Sequence, residues 1–281
     1  MISVFSTGEA DFASVWARHY RDVGARQFHV ALHALPGPEE PALTAIAVEH
    51  LGEAGIQPAL VDVSPWDEGT NGRLRDVLSE CCSANWHLLS DADELHAFEL
   101  PLAEEVRRLE RDGSLALRGL FLDRIAAHGE LDANTPLCRL LEQHVVGVQL
   151  TRNVALGDPR KVSLRRAGVR VSEGNHRTPD VRADSRFPTC VHHFKWRGDI
   201  LSRLRRRVEQ FGSGAWAEQI PAIRREAERV LEFEGLHGGA VEVANPLLEA
   251  MHVSGSSYPQ GWGSFAQPRI DQWRPVGVGT R

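Results

Sequence analysis

Lysine is nearly missing from this chain: among 281 residues it occurs only at 161 and 195. Cysteine is scarce too. Cys81, Cys82, Cys138 and Cys190 form no CxxC pair, so neither a zinc site nor a disulfide framework is expected, and a reducing cytoplasm suits them. No apolar run approaches the roughly 20 residues of a membrane helix. The start, Met1-Ile2-Ser3-Val4-Phe5, lacks the basic head and long apolar body of a secretory leader and reads as a first strand. Positive charge is not in excess. The net charge is −6, which gives no general field for nucleic acid or an anionic membrane. GxGxxG after the first strand is absent, which weighs against a dinucleotide-binding domain. Hydrophobic content of 42% and charged content of 25% are ordinary for a water-soluble globular fold.

What is present begins with alternation. Ile2 to Ser6 reads as a strand and Thr7-Gly8-Glu9 as a turn. Phe12, Val15, Trp16, Tyr20 and Val23 share one helical face, which Gly24 ends. Gln27 to His33 is a second strand. A helix from Pro41 to Ala54 carries Leu43, Ile46, Ala47 and Leu51 on its stripe, a third strand runs from Pro58 to Val63, and a helix covers Asn71 to Cys82. Strand–helix alternation with short breaks implies right-handed crossovers and a parallel sheet with helices on both faces. Ligands then bind beyond the carboxyl ends of the strands, where Thr7, Glu9, His33 and Asp62 lie.

The stretch Trp86-His87-Leu88-Leu89-Ser90-Asp91-Ala92-Asp93-Glu94 runs an apolar strand straight into three carboxylates. In extended chain Asp91 and Asp93 point the same way, and Glu94 the other. Adjacent acids repel and are stable together mainly around a cation. A simple helix-capping role for the acids is the plainer alternative. The second half differs: strands are expected at Leu115 to Asp123, Val145 to Arg152, Lys161 to Arg165, Val169 to Glu173 and Thr189 to Phe194. Helices follow at Asp199 to Phe211 and Ala215 to Glu234, and the Gly-, Pro- and aromatic-rich tail from Asn245 reads as irregular. The run Arg203, Arg205, Arg206, Arg207 reads mainly as a solvated helix face.

In order along the chain, these segments resemble the bacterial family 2 glycosyltransferases. The resemblance covers about Ile2 to Val243. It rests on Glu9 with Trp16-x-x-His19-Tyr20-x-x-x-Gly24, on Asp91-Ala92-Asp93-Glu94, and on Leu122-Asp123-Arg124-Ile125-Ala126 with Gly129-Glu130-Leu131. Lys161-Val162, Gly174-Asn175-His176, His193-Phe194-Lys195-Trp196 and His237-Gly238-Gly239 extend it. Ser6-Thr7-Gly8-Glu9 departs from the usual Arg-Asn-Glu, so the contact to the donor's base differs.

The resemblance implies a GT-A fold: a Rossmann-like nucleotide-binding half (1–100) and a mixed-sheet acceptor half (101–197), with C-terminal helices and tail (198–281) packed on the same domain. It implies a cytoplasmic, metal-dependent and inverting transfer of a sugar from a nucleoside-diphosphate sugar to a small-molecule or glycan acceptor. The metal is Mn²⁺ or Mg²⁺, and neither nucleic acid nor a membrane span takes part. Asp93 is then the direct metal ligand, while Asp91 touches ribose or metal. His176 and His193 are candidates for a late metal ligand, and His192 faces away from His193. Thr7, Glu9, Asp62, Arg73 and Arg75 fall on the nucleotide side, and Lys161 and Lys195 can neutralise phosphate. Asp123 is the first choice for the base that takes the acceptor proton, with Glu130 and Asp132 as alternatives. Two other readings use the same fold: a non-catalytic nucleotide-sugar-binding protein, and a sugar-phosphate nucleotidyltransferase. The second normally has a basic Gly-rich loop after the first strand, and Ser6-Thr7-Gly8-Glu9 is not one.

Overall fold

The structure, a computed structural model, describes residues 1–131, 133–214, 216, 221–238 and 240–274. Strands β1 (Ile2–Ser6), β2 (His29–Ala34) and β3 (Leu60–Val63) form a parallel sheet. It is joined through a parallel bridge from Ile2 to Leu89 at the end of β4 (Trp86–Leu88). Helices α1 (Ala13–Val23), α2 (Glu40–Glu53) and α3 (Thr70–Glu80) connect these strands. Strand parity decides which helix goes where. Phe5, Val30 and Leu32 point into the cluster with Trp16, Tyr20, Ala47 and Leu51, whereas Ile2, Val4 and Ala31 meet Leu74 and Leu78 of α3. Helices therefore cover both faces, as the alternation predicts. Leu43 and Ile46, expected inside, are exposed, as are Val61 and Val63. For Val61 and Val63 the reason is that β3 is an edge strand, with β2 on one side only.

The second half is a mixed sheet built on β6 (Ala116–Ile125), which has β8 (Arg160–Arg166) and β7 (Val146–Val148) on one side and β9 (Asp184–His193) on the other. Strand β5 (Glu94–Ala97) pairs with β9, and β10 (Met251–His252) with β7. Helices α4 (Leu102–Arg111), α5 (Leu140–Gln143) and α6 (Leu150–Asn153) interrupt this half. Helices α7 (Ile200–Gly212) and α8 (Pro221–Leu236) bury Leu201, Leu204, Ala227 and Val230 against Val148 and Leu150. The whole is a two-part α/β arrangement, a parallel sheet with helices on both faces followed by a mixed sheet.

Three expectations change. Residues 169–173 are not a strand but lead into a 3-10 turn at Glu173–Asn175. The 145–152 segment keeps only three strand residues before turning helical. The tail holds a helix, α9 (Trp262–Gln272), despite Pro268 inside it, because Trp262, Ala266 and Ile270 bury one face against Leu120 and Leu122. A buried Arg124 ties the preceding segment down by donating to the carbonyls of Gly255 (2.7 Å) and Val253 (3.2 Å). All four cysteines are free.

Candidate active site

The acidic stretch reverses direction where the sequence reads as continuous strand. Residues 90–93 are a turn between β4 and β5, closed by the Glu94 N–H on the Asp91 carbonyl at 3.2 Å. The first helix holds this turn. Trp16 donates its indole N–H to Ser90 Oγ at 3.2 Å, and Tyr20 donates its hydroxyl to the Glu94 carbonyl at 3.1 Å. The Trp16-x-x-x-Tyr20 spacing is thus what positions the carboxylates.

Because of the turn, Asp91 and Asp93 do not act as a pair. Asp91 is ion-paired to Lys161, and it accepts from the Asn175 amide at 3.4 Å. Lys161 also sits 2.7 Å from Glu94 Oε1 and donates to the Gly174 carbonyl at 2.8 Å. Gly174 holds φ at +67°, and a Cβ there would lie 2.6 Å from His176 Nε2, so only glycine offers its carbonyl to this ammonium. Lys161 is therefore a buried counter-ion for two carboxylates and not a free phosphate cation. Burial, the largest single influence, opposes the charge on Glu94, but Lys161, His96 and His193 together outweigh it and hold its carboxyl well below the usual range.

Three strands converge on His193. Glu94 of β5 and Asp123 of β6 both stand in register with it, so the three side chains share one face. Asp93, Glu94 and His193 can each offer one ligand atom within 4.8 Å of one another. Glu94 has few lone pairs left, since its other oxygen is 3.1 Å from His96 Nε2 and accepts from the Asp91 N–H at 3.1 Å. Asp93 accepts no hydrogen bond in its side chain from the described residues; its nearest partner is His193 Nε2 at 3.6 Å. His193 Nδ1 is taken by Asp123 at 2.7 Å, which leaves Nε2 for a ligand. Phe121 stacks on the imidazole, 4.2 Å between centroids. Burial works against the imidazolium, yet Asp93 and Asp123 together hold the His193 pKa above its ordinary value. A carboxylate and an imidazole nitrogen with nothing else to bind suit Mn²⁺ or Mg²⁺, and their separation allows both to reach one ion.

Asp123 cannot serve as the base. It is fully buried and accepts from Thr151 N (2.6 Å), Thr151 Oγ1 (2.7 Å), Trp196 Nε1 (2.8 Å) and the His193 ring. With four partners and no solvent, it orients His193 and cannot meet an acceptor. The alternative Glu130 is exposed on the loop after β6 and lines no part of the cleft, and Asp132 lies outside the described residues. His176, proposed for the metal, is engaged through Nδ1 by the Arg160 carbonyl at 2.7 Å and stays outside the cluster. Burial and then Lys161 lower its pKa to about 4, so it is neutral at pH 7.

The cluster opens into a cleft of about 270 Å³ that continues into a neighbouring cavity of about 380 Å³. Glu9 lines the cleft beside Asp93, held by Ser6 Oγ at 2.6 Å, and burial followed by the Asp93 charge raises its pKa. Lys195 also lines it, as expected. Arg75 lines the neighbouring cavity, whereas Arg73 is exposed and forked onto Asp67 at 2.9 Å. Thr7 and Asp62 line neither; Asp62 accepts from Ser64 Oγ at 2.7 Å on the edge strand. Two cleft residues were not assigned to the site by the sequence: Arg207 of α7, in the run read mainly as a solvated face, and Glu226 of α8, which the sequence did not single out. Neither forms an ion pair or hydrogen bond among the described residues, and Lys195 has only the Trp196 ring, 5.1 Å away. Burial pushes the Glu226 carboxyl up, against the pull of Lys195 and Arg207.

No protein-family model matches the chain, and no curated protein does. Among solved structures it is similar to the crystal structure of S. aureus TarS, at 10% identity and TM-score 0.33, over 84% of this chain and 43% of that one. TarS 1-349 aligns at 12% identity and TM-score 0.33, over 87% and 76%, and TarS 1-349 in complex with UDP at 10% and 0.33, over 84% and 72%. The chain thus spans less than half the length of the first of these. A likeness this loose specifies neither substrate nor chemistry.

Proposed function

We propose that the protein is a metal-dependent glycosyltransferase of the family 2 kind, moving a sugar from a nucleoside-diphosphate sugar to an acceptor hydroxyl. The observation that carries this is the pair Asp93 and His193. Both keep ligand atoms free at the mouth of a cleft that Lys195 and Arg207, unpaired among the described residues, also line. Asp93 and His193 would hold the Mn²⁺ or Mg²⁺. When bound, the ion supplies positive charge against the leaving diphosphate. Lys195 and Arg207 add charge to the same group, and Asp123 keeps the His193 ring turned so that Nε2 faces the cleft. Lys161 fixes Asp91 and Glu94 in place by ion pairs without competing for the diphosphate.

Glu226 takes the acceptor proton as the acceptor oxygen bonds to the sugar carbon and the carbon–oxygen bond to the diphosphate breaks. Among the described cleft carboxylates it has neither a hydrogen-bonding nor an ion-pair partner in the described residues, and burial raises its pKa, which suits a general base near neutral pH. A single displacement of this kind inverts the anomeric centre. Glu226→Gln is expected to lower kcat by roughly 10²- to 10⁴-fold with little change in donor KM, as steady-state kinetics will show. For the binding step, a nucleoside diphosphate with Mn²⁺ at about 100 times its Kd should stabilise the fold by roughly 2.7 kcal/mol, readable as a thermal shift. A protein that no nucleoside diphosphate stabilises, with or without metal, does not have this function.

A further inference from the structure

The cavity beside the metal cluster contains a charged side chain that the fold leaves unsatisfied. Glu68, in the turn between β3 and α3, is only 8% exposed, yet among the described residues neither carboxylate oxygen has a hydrogen-bond partner. Arg75, one turn into α3 and 3% exposed, lines the same space and has an Nη2 with no hydrogen-bond partner among the described residues. Buried polar groups are normally paired, and an unpaired buried carboxylate is among the costliest exceptions. Two tryptophans, Trp66 and Trp273, give the cavity flat indole walls, and Asn71 and Asp91 join it to the cleft in front of Asp93. A volume of about 380 Å³ is of the size that holds a small-molecule ligand.

We propose that this cavity takes the base of the donor nucleotide and that the base is guanine, read by Glu68. The proposal rests on the transferase reading and narrows its donor to guanosine diphosphate sugars. A free carboxylate presents two acceptors side by side and needs two parallel N–H donors. Guanine offers them in N1–H and the N2 amino group. Uracil and thymine set one N–H between two carbonyls, and one of those carbonyls would face a carboxylate oxygen. Cytosine and adenine place a ring-nitrogen acceptor beside their amino group, with the same conflict. Arg75 supplies a donor for an acceptor on the same ligand. The indole faces stack on the ring, an interaction that tolerates any base and so adds affinity while Glu68 sets the choice.

Calorimetry of the full chain with Mn²⁺ and, in turn, GDP, UDP, CDP and ADP tests this. GDP should bind at least about 10-fold tighter than the others. Glu68→Gln turns one acceptor into a donor and should cut GDP affinity by roughly 10- to 100-fold, leaving the weak UDP affinity in place. The same substitution should leave the ligand-free melting temperature unchanged or raised, because it removes an unpaired buried charge, which separates a reading role from a structural one. UDP, CDP or ADP binding tighter than GDP, or a GDP affinity untouched by Glu68→Gln, overturns the guanine assignment and leaves the transferase reading standing. No binding of any of the four overturns both.

Discussion

Asp93→Ala is expected to eliminate sugar transfer and donor hydrolysis while leaving the protein folded. Its carboxylate takes no hydrogen bond from the described residues, and its one ion-pair partner among them is His193, with Nε2 3.6 Å away. A metal facing a diphosphate supplies several kcal/mol of transition-state charge stabilisation, and each 1.36 kcal/mol is a factor of ten. Losing the ion therefore costs on the order of 10³-fold or more in kcat/KM. The fold loses little, since the side chain is partly exposed and stands beside the Glu9 carboxylate, whose pKa it helps to raise. Activity and melting temperature measured on one preparation check the split. A large drop in melting temperature would assign Asp93 to the framework.

Asp123→Ala carries the largest expected effect on stability. It leaves Thr151 N–H, the Trp196 indole N–H and the His193 ring without their acceptor, at a position where Asp123 itself is fully buried. Breaking a buried charged network of this kind costs about 3 to 5 kcal/mol. For a chain of this size that corresponds to a fall in melting temperature of roughly 10 °C. Metal affinity should fall as well, because the His193 ring loses the group that fixes its orientation. If Asp123 were the base, the change would remove activity and leave melting and metal binding nearly untouched. Thermal unfolding and a metal titration of the variant separate the two.

Period-two parity made much of this legible beforehand. It separates His193, in the cleft, from His192, which contacts Arg124 at 3.0 Å on the opposite face. The helical face Phe12, Trp16, Tyr20 was equally plain, and it supports the acidic turn. The reversal at residues 90–93 was not legible, because Ser90-Asp91-Ala92-Asp93 has neither glycine nor proline to mark a turn. It splits two acids that extended chain would align. Asp123 looked like a base because a strand-end carboxylate reads as available. The groups that seal it come from Thr151 and Trp196, 28 and 73 residues further on. Lys161 looked free for the same reason. Arg207 and Glu226 belong to helices whose charges outnumber the few that face inward, and only packing distinguishes those few. Glu68 carries no local signal at all, since a glutamate before a helix usually caps it or meets water.

The most direct test incubates the protein with Mn²⁺ and a panel of nucleotide sugars and measures released nucleoside diphosphate, with and without excess chelator. The proposed function predicts release from one donor that stops when the chelator is added and is absent in Asp93→Ala. Release that persists in chelator, or pyrophosphate formed instead from a nucleoside triphosphate and a sugar phosphate, would contradict it.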